Sequence, residues 1–142
     1  MRALLDVNVL IALLDAAHVH HATARDWLAQ NIEHGWASCP LTQNGCIRIM
    51  SQQAYPATLP PATVARRLAE ATATQWHAFW PDSVSLLGSK SVSWDKVLGS
   101  RQVADVYLLA LAVCNGGRLV TFDRAVPVQA VAGADAAHLI VI

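Results

Sequence analysis

Hydrophobic residues come in short blocks whose spacing switches between strand and helix character. Residues 2–6 read as an apolar strand ending on a carboxylate, Asp6. Residues 7–16, VNVLIALLDA, follow at once as a helix apolar on most sides and so buried. Residues 22–32 form an amphipathic helix stopped by Gly35, and residues 36–39 a second strand. Pro40 and Thr42 open a third helix running to Met50, with Thr42 as its cap. A proline-containing linker, residues 55–61, leads to a fourth helix over residues 62–74, started by Pro60-Pro61. Residues 77–80 read as a third strand, closed by Pro81 and Asp82.

Residues 83–101 carry little pattern beyond short helical pieces at 83–87 and 94–98. Order returns at residues 103–114, an apolar helix with almost no breakers, ended by Asn115-Gly116-Gly117. Residues 119–122 give a fourth, buried strand. Residues 126–132 read as a short helical turn and 138–142 as a final strand. Strands alternating with helices predict an α/β protein: a single three-layer α/β/α sandwich over residues 1–142, with a mostly parallel sheet of about five strands.

In that architecture ligands bind beyond the carboxyl ends of the strands. Asp6 ends the first strand, Asp123 the fourth, and Asp105 starts the helix feeding the fourth. All three are expected at one edge. Asp6 alone is equally well explained as a helix cap, but three independent caps are a poorer account of three converging acids. Clustered carboxylates repel unless a cation compensates. A hard divalent ion, Mg²⁺ or alternatively Mn²⁺, is the natural partner, and such an ion activates water and stabilises charge on a phosphoryl oxygen. Phosphodiester hydrolysis is the leading chemistry, with Asp6, Asp105 and Asp123 as metal ligands.

Other chemistries fit less well. Gly116-Gly117 matches no phosphate-binding glycine motif. A covalent aspartyl mechanism would want a second Asp two residues after Asp6, where Asn8 stands. His18, His20 and His21 read as a polar loop and helix start, since no Cys or carboxylate at ligand spacing joins them.

Composition adds bounds. Hydrophobic residues make up 54% and charged residues 14%, which points to apolar surface covered by a partner. Formal net charge is zero, so there is no global attraction to nucleic acid. Cys39, Cys46 and Cys114 read as buried free thiols of a reducing compartment. With no apolar run of membrane-spanning length and no signal-peptide pattern, a cytoplasmic protein without membrane contact is expected.

Four blocks, LLDVNVLIAL, CPLTQNGCIRI, RQVADVYLLALA and GGRLVTFDR, together resemble the motifs of PIN-domain proteins, in particular VapC toxins. The resemblance spans nearly the whole chain. It implies a Mg²⁺-dependent endoribonuclease that hydrolyses RNA, forms a homodimer and is neutralised by a VapB-like antitoxin, with the antitoxin groove along the first and fourth helices. The family's acids fall on Asp6, Asp105 and Asp123, its small polar positions on Asn8 and Thr121, and its arginine on Arg48. The acid of the second block falls on Gln43, which offers an amide but no charge. Gln43 and Thr121 are expected to orient water or ligands around the metal. The alternative is a PIN-fold module that binds RNA or protein without cutting.

Overall fold

The computed structural model describes residues 1–87 and 90–142. Its elements follow the order β1 (Ala3–Leu5), α1 (Val7–Leu14), α2 (His21–Asn31), β2 (Trp36–Ser38), α3 (Pro40–Met50), α4 (Pro61–Thr72), β3 (His77–Phe79), α5 (Val103–Cys114), β4 (Arg118–Thr121) and β5 (Leu139–Val141). The strands form one sheet in the order β3-β2-β1-β4-β5, and every pairing is parallel. From β1 the chain builds outward to β2 and β3, then returns to lay β4 on the other side of β1. The order therefore reverses between β1 and β4, the position where open α/β sheets leave a crevice.

Side chains of β1 alternate between the two faces. Leu4 joins Ala37, Leu119 and the buried residues of α5, including Leu108, Leu109 and Leu111. Ala3 and Leu5 face the other way, against Leu10 of α1, Ala24 of α2, Met50 of α3 and Leu68 of α4. Four helices thus cover one face and α5 covers the other, the expected three layers.

Several boundaries differ from the sequence reading. The first helix ends at Leu14 and turns through Asp15. The third begins at Pro40, with Cys39 at its cap; Thr42 lies inside the first turn, where its hydroxyl accepts from the Cys39 amide at 3.0 Å. A proline at the first helical position loses no hydrogen bond and already has helical φ, so it takes the start that Thr42 was expected to take. The expected helical piece at 83–87 does not form, and the one at 94–98 shrinks to a 3₁₀ turn, Trp94–Lys96. The residues 126–132 keep only the turn Val128–Ala130. Gly88 and Ser89, within the segment of least pattern, lie outside the described residues. Cys39 and Cys46 are buried free thiols, but Cys114 is exposed, because it occupies the last turn of α5 beyond the packed layer.

Gly117 sets the approach of β4 to β1 at the end of the sheet opposite Asp6. A Cβ there would sit 2.6 Å from the Arg2 carbonyl and 2.6 Å from the Trp80 ring. Backbone cannot yield as a side-chain tip can. Gly117→Ala is expected to lower unfolding free energy by about 1–3 kcal/mol, the usual cost of overpacking, measured by urea unfolding followed by tryptophan fluorescence.

Candidate active site

The edge formed by the strand C-termini collects the candidate acids. Asp6 follows β1 directly and caps α1: its Oδ1 accepts from the Val7 amide at 2.7 Å. The same residue stays in the sheet ladder through its own amide, which donates to the Val120 carbonyl at 3.0 Å. Across the strand order reversal, the fully buried Thr121 donates its hydroxyl to Asp6 Oδ2 at 2.7 Å. The Thr121 oxygen in turn accepts from the Asp123 amide at 3.0 Å. One hydroxyl thus ties the end of β1 to the turn after β4. The Asp123 carboxylate accepts from the Ala125 amide at 2.7 Å, which holds that turn. Asp105 enters from above, in the first turn of α5.

Asp6 is 6% exposed and Asp105 8%, so both carboxylates are largely out of water. Burial raises the Asp6 carboxyl above its ordinary range, against the lowering effect of the Thr121 and Val7 hydrogen bonds. Asp105 is pushed up to about 6, first by burial, then by the charges of Asp6 and Asp123. The charge of Asp123 thus acts on both Asp6 and Asp105. Among the described residues no three His, Cys, Asp or Glu groups already stand close enough to close around one ion. The donors are all oxygens, and two or three carboxylates with water completing the sphere are what a hard, water-retaining divalent ion accepts. Each Asp6 oxygen has one lone pair engaged by the protein and one left over.

Asn8 is exposed in the first turn of α1, beside Asp6. Gln43 lies in the first turns of α3, after the end of β2. Its amide donates to Ser38 Oγ at 3.0 Å, and its side chain lines a groove with Ile47, Ala65 and Leu68 between α3 and α4. Ser38 Oγ also lies 2.8 Å from His77 Nε2. No side-chain hydrogen bond among the described residues joins Gln43 to the three acids. Arg48 is exposed and forms no ion pair among the described residues. The His18–His20–His21 stretch is a loop and helix start: His21 Nδ1 bonds the Ala12 carbonyl at 2.7 Å, and His20 stacks on Phe122 with centroids 4.7 Å apart.

Gln102 was missed in the sequence. Its Oε1 accepts from the Leu98 amide at 2.8 Å, while its Nε2 donates to the Ala125 carbonyl at 2.9 Å. It therefore fastens the start of the helix carrying Asp105 to the turn carrying Asp123. A glutamine ahead of a helix has no distinctive signal, because its partners lie 4 residues back and 23 ahead.

The raised Asp105 carboxyl has a definite sign. In the unfolded chain it ionises near 3.8, in the folded protein near 6. Its contribution to metal-free stability is full below pH 3.8, is lost as pH rises to about 6, and stays lost above. Asp105→Asn is expected to raise the melting temperature of metal-free protein at pH 7.5 and to leave it unchanged at pH 3.5, read by calorimetry in chelator-treated buffer.

The PIN domain family model matches residues 3–132. Ribonuclease VapC44 of Mycobacterium tuberculosis is 52% identical over 98% of this chain and 98% of its own. Ribonuclease VapC39 of the same organism is 46% identical over 94% of this chain and 96% of its own. Among solved structures, VapBC2 from Rickettsia felis, bound to a DNA fragment from its promoter, matches with a TM-score of 0.55 at 11% identity. That match covers 87% of this chain and 89% of the other, and shows the shared fold. With the sheet order, the converging acids and these relatives in agreement, the chain belongs to the PIN-domain family.

Proposed function

We propose that this protein is a VapC-type endoribonuclease, the toxin of a toxin–antitoxin pair, cutting RNA with a divalent ion held at the carboxylate edge. The observation that carries the reading is the convergence of Asp6, Asp105 and Asp123 at the strand-end edge, with Asp105 raised first by burial and then by the charges of the other two. Asp6 and Asp105 would hold Mg²⁺, or Mn²⁺ in its place, and Asp123 would join directly or through water. When bound, the ion supplies a water ionised near neutral pH and an electrophile for phosphoryl charge.

The protein's own groups do the positioning. Thr121 fixes the rotamer of Asp6 and the distance to the Asp123 turn with one hydroxyl. The Val7 amide, the first of α1, holds the other Asp6 oxygen, so the carboxylate is aimed before any ligand arrives. Gln43 contributes no charge; through Ser38 it steadies the end of β2. That placement also favours a second reading, a PIN module that grips RNA without cutting it.

Partners follow from the surface. An apolar cavity of about 240 Å³ between α1, α2 and α4, lined by Leu10, Leu14, Leu28 and Leu68, supports a docking groove for the apolar helix of a VapB-like antitoxin. A larger apolar cleft of about 730 Å³, lined by Leu41, Leu87, Trp94, Val103 and Tyr107, supports burial against a second copy in a homodimer. Among the described residues no helix is long and apolar enough to cross a membrane, and a cytoplasmic site of action fits a toxin of cellular RNA.

The test is cleavage of an RNA panel with Mg²⁺ by wild type and Asp105→Asn, alongside Mn²⁺ titration calorimetry. Changes one sphere beyond a metal ligand commonly cost roughly 10–100-fold. Asp105→Asn is expected to lose at least that much activity, with Mn²⁺ binding weakened in parallel. Equal cleavage by both proteins would defeat the assignment; RNA binding with no cleavage and no Mn²⁺ uptake by wild type would establish the second reading.

A further inference from the structure

A protein of zero net charge that handles RNA must concentrate its cations where the backbone lies, and the distribution of its arginines is uneven. Those beside the N-terminal ends of the strands are committed. The Arg2 guanidinium donates to the Trp36 and Trp76 carbonyls at 3.2 and 2.8 Å. Arg118 sits 5.4 Å over the Trp27 ring and bonds Asn31 at 3.2 Å. On α2, Arg25 pairs with Asp26 at 3.0 Å. At the opposite edge, Arg101 and Arg124 are exposed, and neither pairs with a carboxylate among the described residues.

These two are far apart in sequence but belong to one local unit. Arg101 precedes Gln102, and Arg124 precedes Ala125, whose carbonyl the Gln102 amide holds at 2.9 Å. Arg101 stands four residues before Asp105 and Arg124 directly after Asp123. Two exposed guanidiniums without an ion pair among the described residues therefore belong to the unit that carries Asp105 and Asp123. Guanidinium is the side chain best matched to phosphate, through paired N–H donors and weak hydration.

We propose that Arg101 and Arg124 form a two-point grip on backbone phosphates of single-stranded RNA, on either side of the bond presented to the acids. Gln102 is the positioning residue that holds the two points at a fixed spacing. The proposal rests on the ribonuclease reading and adds to it the groups that bring a polyanion to an acidic edge. Grip at two phosphates releases counterions, so it has a thermodynamic signature that a purely structural arginine lacks.

The experiment uses full-length Asp105→Asn protein and a fluorescein-labelled single-stranded RNA, with anisotropy measured from about 50 to 300 mM salt. Each phosphate contact to a single strand contributes about 0.7 to the slope of log affinity against log salt, so Arg101→Ala/Arg124→Ala is expected to lower that slope by about 1.4. Arg101→Lys/Arg124→Lys keeps the charges and is expected to restore most of the slope. Arg66→Ala/Arg67→Ala, two exposed changes on α4, serves as control and should leave it unaltered. In the cleaving protein, Arg101→Ala/Arg124→Ala is expected to raise KM far more than it lowers kcat. An unchanged slope with unchanged KM overturns the grip while leaving the ribonuclease reading intact, and so does an equal loss of slope in the α4 control. Absence of both RNA binding by the Asp105→Asn protein and RNA cleavage by wild type would instead overturn the ribonuclease reading itself.

Discussion

The parallel pairing of β1 with β4 is the constraint on which the rest depends. It sets Leu5 beside Val120, and so brings the residues just beyond, Asp6 and Thr121, within one hydrogen bond of each other. Adjacent strands lie about 4.8 Å apart, a spacing imposed by backbone hydrogen bonding and not by the side chains at the edge. The Asp6 carboxylate and the Thr121 hydroxyl are thus held together by a sheet that is stable for its own reasons. Its two faces are sealed by separate apolar clusters, one under α5 and one under α1 to α4. Energy from that burial offsets the cost of holding two acids out of water beside a third.

The site is also arranged to keep its strain local. Asp6 has both oxygens engaged, so its charge is partly compensated by an amide and a hydroxyl. No hydrogen bond lowers the Asp105 carboxyl, and burial and the neighbouring acids push it up to about 6. An edge built this way gathers negative charge at one side of a chain whose formal net charge is zero.

Much of this was legible in the sequence because it depends on period and punctuation. The apolar run from Val103 and the Asn115-Gly116-Gly117 stop located α5 to the residue. Strand–helix alternation implied the parallel sheet, and with it the common edge for Asp6, Asp105 and Asp123. The failures have physical reasons too. The described residues of 83–101 make irregular contacts, such as the Trp94 indole donating to the Leu86 carbonyl at 3.3 Å, which leave no periodic trace. The hydrogen bond from Gln43 to Ser38 was not readable either, because it depends on neighbours brought together by the tertiary fold. Gln102 acts through backbone groups, so the identity of its partners is invisible in the residue string.

The double duty of Asp6 separates folding from chemistry at a single position. Asparagine caps a helix about as well as aspartate, and its amide oxygen can still accept from Val7 or Thr121. A single-base transition from an aspartate to an asparagine codon would therefore leave the end of β1 and the start of α1 intact while removing a charge from the edge. Chains of this kind can lose their chemistry by drift without losing their shape, and with it the surfaces by which other molecules recognise them.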